Sequence, residues 1–250
     1  MKRALLALCC ALACGAAFAQ GGEEVPFITS PDNVTQEMLR IANVGAGDHV
    51  IDLGSGDGRI VIVAAKRFGA TGLGVEIDPA LVRRSQQNAR DAGVAQQVEF
   101  RVQDLFETDL SRATVVTMYL LPEFNLRLRP SLLALKPGTR IVSHDWDMGD
   151  WKPDATTVVD VPEKKVGLDK FSRVHLWVVP AKVDGLWCGA DGPLVLRQAY
   201  QELAARLGAR EVKGRVEGAD ILLEGRRLTL AGDTLRSPAA SYVRARSGAC

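Results

Sequence analysis

The feature that most constrains this chain is the segment VIDLGSGDGR at residues 50–59. An apolar run ends in an aspartate, and glycines then follow at the alternate positions 54, 56 and 58. A buried strand that ends in glycines places free backbone N–H groups and a helix N-terminus at one edge of a parallel sheet. The segment therefore predicts a small-molecule site in the crevice beyond that edge.

Strand-like and helix-like segments alternate between residues 48 and 180. Such alternation is typical of an α/β fold, a Rossmann-like parallel sheet with helices on both faces. The last two predicted strands, 156–162 and 172–180, have no helix between them, so one of the two runs antiparallel. We therefore expect a seven-stranded sheet whose last strand is antiparallel. Ser30 is the predicted N-cap of the first helix, with Pro31 at its first position.

The pattern of the sequence changes after residue 180, where helix-like segments give way to short segments separated by glycines. Glycines recur about every 8–12 residues, which is typical of a β-meander. Residues 26–180 are thus predicted to form the first domain, and residues 183–250 a small β-rich appendage. Segment 194–207 fits helical spacing about as well as strand alternation, and strands are the preferred interpretation.

Residues 1–19 have the pattern of a cleavable signal peptide. Lys2 and Arg3 precede a small apolar run, and Ala17-Phe18-Ala19 is a small-x-small cleavage site before Gln20. The pattern predicts a periplasmic or secreted protein. The alternative is a membrane anchor formed by the same segment, although the run is short for a transmembrane helix.

Cysteine positions bear on the same question. Three of the five cysteines lie in the predicted signal, which leaves Cys188 and Cys250. An oxidising compartment allows these two to pair. The terminal position of Cys250 nevertheless favours two unpaired thiols, because chain ends are often poorly held.

Charge and histidine content narrow the possible partners. The formal net charge is +1 and no face of the predicted fold is strongly basic, so a nucleic-acid partner is not expected. The three histidines have no metal-ligand spacing with cysteine, and no metal site is predicted.

Two kinds of ligand compete for the glycine turn. The dinucleotide fingerprint G-x-G-x-x-G would place its third glycine at position 59, which is arginine. The spacing here favours a ligand without a pyrophosphate. Acids also follow three successive predicted strands, at Asp52, Glu76 and Asp104. A turn that served packing alone would leave this ordered set of acids unexplained.

These motifs resemble the class I S-adenosylmethionine-dependent methyltransferases. PFITSPDNV, DLGSGDGRIVI, TVVTMYLLPEFNLRLRP and VSHDWDMGDWKPD are similar to a narrower family. Its members are mitochondrial protein-lysine methyltransferases that modify the ATP synthase c-subunit and the adenine nucleotide translocase, with bacterial relatives. The chain departs from the family at Thr29 and Ser30, where the family has proline and threonine.

The resemblance implies S-adenosylmethionine as the cofactor and assigns residues to it. Asp52 would face the ammonium, Glu76 the ribose hydroxyls and Asp104 the adenine amino group. The hydroxyl of Ser30 would touch the methionine carboxylate, and apolar Ile77 would lie on the adenine. The predicted cofactor residues are Ser30, Asp52, Gly54, Ser55, Gly56, Gly58, Glu76, Ile77, Asp104 and Leu105.

The acceptor is expected beyond the end of the fourth strand. Tyr119, Glu123, Asp145 and Trp146 are the predicted catalytic, substrate-side residues, and core packing or turn formation is the alternative for each. The resemblance implies a protein lysine side chain as the methyl acceptor, with a membrane or envelope protein as a possible partner. Two other functions remain open: an exported module that binds S-adenosylmethionine without catalysis, and a small-molecule methyltransferase.

Overall fold

Helices and strands alternate through the first part of the computed structural model, which describes residues 28–164, 168–246 and 248–250. The predicted signal peptide lies outside the described residues. In chain order the elements are α1 Asp32–Ile41, β1 His49–Leu53, α2 Arg59–Phe68, β2 Thr71–Glu76, α3 Pro79–Asp91, β3 Val98–Val102, a 3-10 turn at Leu105–Glu107, β4 Val115–Met118, α4 Pro122–Leu132, β5 Arg140–His144, β6 Ala155–Asp160 and β7 Phe171–Val178.

The strands form one seven-stranded sheet in the order β3-β2-β1-β4-β5-β7-β6. Strands β1 to β5 pair in parallel, whereas β7 is antiparallel to both β5 and β6. The prediction of a seven-stranded sheet with an antiparallel last strand is confirmed. The chain leaves β1 toward β2 on one side, while β4 lies on its other side, so a crevice opens at the carboxyl ends of these strands.

Both faces of the sheet are covered by apolar side chains. Val50 and Val115 pack on one face with α1 and α2, while the alternate residues Ile51 and Val116 pack on the other with α4. All four are essentially inaccessible to solvent. Burial on both faces explains why these strands read as continuous apolar runs rather than as alternating patterns.

The start of α1 differs from the prediction. The helix begins at Asp32, its N-cap position is Pro31, and no side chain caps it. Ser30 is buried, and its hydroxyl bonds to His144 at 2.8 Å. The N-cap assignment of Ser30 was therefore wrong, because a long-range hydroxyl–imidazole bond replaces the local cap.

Residues 185–244 form a closed antiparallel barrel of eight strands. The interpretation of 194–207 as strands is confirmed. The strands are β8 Gly185–Gly189, β9 Gly192–Ala199, β10 Glu202–Leu207, β11 Arg210–Glu217, β12 Asp220–Leu223, β13 Arg226–Ala231, β14 Thr234–Arg236 and β15 Ser241–Arg244. Buried Trp187, Leu194 and Ile221 belong to the core that fills its interior, so the barrel is a packed unit.

The barrel is fastened to the loop that follows β5. Gln201 donates to the carbonyl of Lys152 at 2.7 Å, and the Tyr200 hydroxyl donates to Asp150 at 2.9 Å. Arg215 forms an ion pair with Asp154. These contacts hold the same loop that leaves the crevice edge of the sheet. Within the described residues, no helix has the length and apolar character needed to cross a membrane.

Cys188 and Cys250 form a disulfide, so the expectation of two unpaired thiols was wrong. Pairing of β15 with β8 brings the C-terminal segment back beside Cys188, and the two Cα atoms are 5.5 Å apart. This proximity depends on barrel closure, which the sequence pattern does not reveal.

Reducing this disulfide is expected to destabilise the barrel. The cross-link closes a loop with a sequence separation of 62 residues, and the chain-entropy model gives about 4 kcal/mol for a loop of that size. Guanidinium unfolding followed by the fluorescence of buried Trp187 measures the difference between oxidised and reduced protein. The Cys188→Ser variant is the control, since reductant should leave its midpoint unchanged. Equal midpoints for the oxidised and reduced protein would contradict the expectation.

Candidate functional site

The glycine turn after β1 adopts a backbone that favours glycine at three positions. Gly54, Gly56 and Gly58 have φ angles of 74°, 53° and 81°, in the left-handed region. The N–H groups of Gly54 and Ser55 donate to the carbonyl of Val75 in β2, at 3.0 and 2.9 Å. These bonds fix the turn to the neighbouring strand. Helix α2 starts at Arg59, directly after Gly58.

The third glycine serves packing inside the protein. A Cβ added at Gly58 would lie 2.7 Å from the ring of Phe100 and 2.9 Å from Cβ of Ser85. A Cβ added at Gly74 in β2 would lie 2.6 Å from the same ring. Phe100 thus packs across two glycines, and the close approach of α2 and α3 to the sheet depends on them. This contact differs from the direct ligand role predicted for Gly58.

Asp52, near the end of β1, is a buried carboxyl group with 2% of its surface exposed. Thr117 on β4 donates to its Oδ1 at 2.7 Å. Burial raises the pKa of Asp52 to about 7; Glu76 and Asp57 add to the shift, and the Thr117 bond opposes it. A carboxyl group in this environment favours a cationic ligand, because a positive charge would stabilise its ionised form.

Glu76, the last residue of β2, lies across the turn from Asp52. Its Oε2 accepts from the Gly56 N–H at 3.0 Å, and its Oε1 accepts from the N–H groups of Ile77 and Asp78. The carboxylate is therefore held at the rim of the crevice. Ile77 beside it is 69% exposed, so its side chain is accessible to a ligand at the rim.

The residues after β3 complete this side of the crevice. Asp104 is exposed, and its Oδ1 accepts from the N–H of Phe106 at 2.8 Å, which caps the 3-10 turn. Leu105 is half-buried against the core. In the part of the chain that the structure describes, the buried Ser55 hydroxyl has no hydrogen-bond partner. This hydroxyl faces Gly74, where an added Cβ would lie 2.7 Å from it.

Tyr119 and His144 lie at the ends of β4 and β5 and stack on each other. Their ring centroids are 3.8 Å apart, with an interplanar angle of 28°. Burial and the nearby Asp145 carboxylate raise the pKa of Tyr119 above its ordinary value. Tyr119 is half-buried, so part of its surface borders the crevice.

Asp145, one of the predicted substrate-side residues, is bonded within the chain. Its carboxylate accepts from Lys164 Nζ at 2.7 Å and from the N–H of Arg173 at 2.9 Å. Although burial opposes ionisation, these bonds hold the pKa of Asp145 below its ordinary value. The carboxylate is already paired within the chain, so a role in contacting the acceptor is weakened.

Glu123 and Trp146 remain open to solvent at this end of the crevice. Glu123 lies in the first turn of α4, and Trp146 is 41% exposed. Asn125 Nδ2 bonds to the carbonyl of Trp146 at 3.2 Å and thereby connects α4 with the loop after β5. Within the described residues, no group of three or more His, Cys, Asp or Glu side chains could hold a metal ion.

Comparisons with known proteins identify the chemistry that this arrangement serves. The family model described as "ANTKMT methyltransferase domain" matches residues 52–155. A protein-lysine N-methyltransferase from Saccharolobus islandicus (strain REY15A) is 44% identical over 138 residues, which are 54% of this chain and 86% of the relative. This chain belongs to the ANTKMT-type, S-adenosylmethionine-dependent methyltransferases.

A solved relative of this methyltransferase carries the product form of the cofactor. The crystal structure of an RNA methyltransferase from Salinibacter ruber, in complex with S-adenosyl-L-homocysteine, is 51% identical. It matches with a TM-score of 0.57 and covers 62% of this chain and 96% of that chain. Binding of S-adenosylmethionine by the present methyltransferase follows from this likeness and from the family.

More distant relatives of the methyltransferase match over about half of their own length. The lysine N-methyltransferase of the ATP synthase c-subunit from Mus musculus is 33% identical over 134 residues, 53% of this chain and 53% of the relative. Its namesake from Homo sapiens is 31% identical over 134 residues, 53% of this chain and 57% of the relative. This chain therefore spans just over half the length of these two relatives.

The methyltransferase fold brings most of the predicted cofactor residues to one edge of the sheet. Glu76 bonds the glycine turn directly, Asp52 precedes that turn near the end of β1, and Asp104 follows the next strand. This cradle fits a ligand with an ammonium, a ribose and an adenine, and Asp52 and Glu76 are the residues that would hold the first two. Their individual roles remain predictions.

Sequence reasoning missed four residues of the site. Thr117 bonds Asp52, His144 bonds Ser30, Ser172 bonds the far side of His144, and Lys164 pairs with Asp145. All four contacts join positions far apart in the chain. The only local signal was the placement of Thr117 and His144 near the ends of predicted strands.

Proposed function

We propose that this methyltransferase acts on lysine side chains of proteins. The observation that carries the proposal is the charge of the crevice rim. The segments that follow strands β1 to β5, residues 54–58, 77–78, 103–107, 119–123 and 145–147, contain no lysine or arginine. They contain seven acids: Asp57, Asp78, Asp104, Glu107, Glu123, Asp145 and Asp147. Two of these are paired within the chain, Asp57 with Arg59 and Asp145 with Lys164, which leaves five.

An acidic rim attracts an ammonium group and repels a phosphate backbone. The relative from Salinibacter ruber is described as an RNA methyltransferase, which makes RNA the competing acceptor. Proteins that bind RNA neutralise phosphates with lysine and arginine. Of the cations that reach the rim from outside these segments, Arg59 and Lys164 are paired with Asp57 and Asp145, and Arg127 lies over the ring of Phe106. The protein-lysine relative from Saccharolobus islandicus supports the same choice.

The residues at the end of β4 and the start of α4 suit an incoming lysine. Bound S-adenosylmethionine supplies a methyl group that its sulfonium activates for in-line displacement. The lysine ammonium must first release a proton to solvent, because only a nitrogen with a free electron pair can form the new bond to the methyl carbon as the sulfur–carbon bond breaks. We expect Glu123 to attract the ammonium and the face of Tyr119 that is not stacked on His144 to hold it by a cation–π contact. Apolar Leu120 and Leu121 help to exclude water.

Methyl transfer into cell fractions tests the acceptor class. The full chain is incubated with methyl-labelled S-adenosylmethionine and extracts, and the labelled product is digested with protease or with ribonuclease. We expect label that protease releases and that amino-acid analysis assigns to methyl-lysine. Label that only ribonuclease releases, or label confined to small molecules, would refute the proposal.

Replacing Glu76 by alanine is expected to weaken cofactor binding by about 1–3 kcal/mol, or roughly 5- to 150-fold. The loss follows because ribose hydroxyls would be left without their acceptor. Calorimetry with S-adenosylhomocysteine measures it. Glu99→Ala is the matched control, since Glu99 is an exposed acid on the neighbouring strand that pairs with Arg101. An unchanged affinity in Glu76→Ala would remove this residue from the site.

We further propose that the protein works in an oxidising compartment, periplasmic or extracellular. The signal-like pattern of residues 1–19 supports this, and so does the disulfide between Cys188 and Cys250. Fusing residues 1–27 to a reporter that is active only after export tests the signal. Alkylation of the native protein tests the cysteines. A silent reporter together with freely alkylated cysteines would contradict the proposal.

A further inference from the structure

His144 connects three parts of the site through its side chain. It is the last residue of β5 and is 1% exposed. Its Nδ1 lies 2.8 Å from Ser30 Oγ, and its Nε2 lies 2.8 Å from Ser172 Oγ on β7. One face of the imidazole stacks on Tyr119. Both nitrogens and one ring face are thus occupied.

The imidazole is neutral at physiological pH. Burial lowers the pKa of His144 to about 4; Asp145, whose Oδ2 lies 3.4 Å from Nε2, opposes the shift, and Lys164 adds to it. A neutral imidazole has one donor nitrogen and one acceptor nitrogen. The two serine hydroxyls must therefore take opposite roles.

Ser30 is held from a second side by the glycine turn. Arg59, the first residue of α2, donates from Nη1 to the carbonyl of Ser30 at 2.8 Å, and its other nitrogens bond Asp57 at the turn. The backbone of Ser30 is thereby tied to the cofactor side of the crevice. Its hydroxyl is tied to the end of β5, on the acceptor side.

We propose that His144 is a positioning residue for both halves of the site, an inference that rests on the proposed function. The hydrogen bond between Nδ1 and Ser30 Oγ holds the Ser30 hydroxyl beside the expected position of the cofactor carboxylate. The bond between Nε2 and Ser172 Oγ fixes the other edge of the ring. The ring face fixes the orientation of Tyr119, which contacts the acceptor. The hydrogen bond thus serves cofactor binding, and the stack serves methyl transfer.

Two substitutions separate these contributions. His144→Phe keeps a ring under Tyr119 and removes the bond to Ser30. We expect the KM for S-adenosylmethionine to rise about 5- to 10-fold with little change in kcat. His144→Asn keeps a donor near the position of Nδ1 and removes the stack. We expect kcat to fall about 5- to 10-fold, while this KM stays within about 2-fold of the parent.

The matched controls are His49→Phe and His49→Asn. His49 also places Nδ1 near a hydroxyl, Thr71 Oγ1 at 2.9 Å, but it lies at the opposite end of β1 from the crevice. Neither control is expected to change kcat or KM. Ser30→Ala should reproduce the KM effect of His144→Phe, and the double variant should add little, because both remove the same bond.

A merely structural role would not raise KM in one His144 variant and lower kcat in the other. If both variants show a lowered kcat together with a raised KM, the proposal is overturned. Where either variant fails to fold, Ser30→Ala decides, and an unchanged KM for S-adenosylmethionine overturns the cofactor half. Calorimetry with S-adenosylhomocysteine follows that half without any acceptor. The protein could fail to methylate lysine while its cofactor affinity still depends on Ser30 and His144. That outcome would refute the proposed function and leave the cofactor half of this proposal standing.

Discussion

Replacing Asp52 by asparagine is expected to stabilise the cofactor-free protein while it weakens cofactor binding. Asp52 is buried and its pKa is raised to about 7, above the ordinary value of 3.8. The folded state therefore holds a proton that the unfolded state releases, and stability falls as pH rises between about 4 and 7. At pH 8 the folded protein carries the whole cost of a buried charge, up to about 4 kcal/mol.

Asparagine removes this charge and keeps the oxygen that accepts from Thr117. We expect the free energy of unfolding of Asp52→Asn to exceed that of the parent by about 2–4 kcal/mol at pH 8. Near pH 4 the two proteins should be equally stable. Urea unfolding at several pH values, without cofactor, measures the difference. A parent that gains stability between pH 4 and 7 relative to the variant would contradict the assigned pKa.

Cofactor affinity should move in the opposite direction. The ionised Asp52 carboxylate attracts the cofactor ammonium, so the variant should bind about 10- to 100-fold more weakly at pH 8. The affinity of the parent should fall toward that of the variant below pH 7, and binding near pH 6 should release a proton. Calorimetry in two buffers of different ionisation enthalpy detects this release.

Asp57→Asn is the matched control for Asp52→Asn. Asp57 is also buried at the glycine turn, but its ion pair with Arg59 holds its pKa below the ordinary value despite the opposing effect of burial. Its neutralisation should therefore destabilise the protein at pH 8. If both variants change stability in the same direction, the difference between the two carboxyl environments has been misjudged.

Gly58→Ala is expected to destabilise the fold by about 2–5 kcal/mol. The left-handed backbone accounts for about 1–2 kcal/mol, and overpacking against Phe100 and Ser85 accounts for about 1–3 kcal/mol more. Neither neighbour can withdraw freely, because both lie in the packed layer between α3 and β3. Thermal and denaturant unfolding measure the loss.

Gly93→Ala separates the two contributions to this loss. Gly93 has a φ of 74°, close to the 81° of Gly58, but an added Cβ would meet nothing within 4 Å. It should cost only the backbone contribution. Phe100→Leu should recover part of the stability in the Gly58→Ala background by making room for the methyl group. Equal losses at the two glycines would show that packing against Phe100 contributes nothing.

Local sequence patterns predicted much of the sheet and its crevice edge. Alternating strands and helices, the glycine turn and the acids at Asp52, Glu76 and Asp104 are all readable within short windows, since strand ends and turns have strong local signatures. Parallel strands then bring these ends to one edge by geometry alone. The cofactor side of the site could be predicted from the sequence for this reason.

The acceptor side of the site was harder to predict from local sequence patterns. Ser30 resembled a helix cap and instead bonds His144, while Asp145, predicted on the substrate side, pairs with Lys164. Local sequence does not reveal these partners, because a polar side chain at a turn has several possible ones.

The sequence by itself determined the α/β sheet and the crevice at its carboxyl edge, because hydrophobic periodicity, glycine and strand-end acids act over a few residues. The type of cofactor came from the resemblance of the motifs to a known family. Only the tertiary structure decided that eight short strands close into a barrel, that Cys188 meets Cys250, and that His144 connects Ser30 with Tyr119. Those contacts join residues up to 114 positions apart. Their partners are chosen by the packing of the whole chain, which no short window of sequence contains.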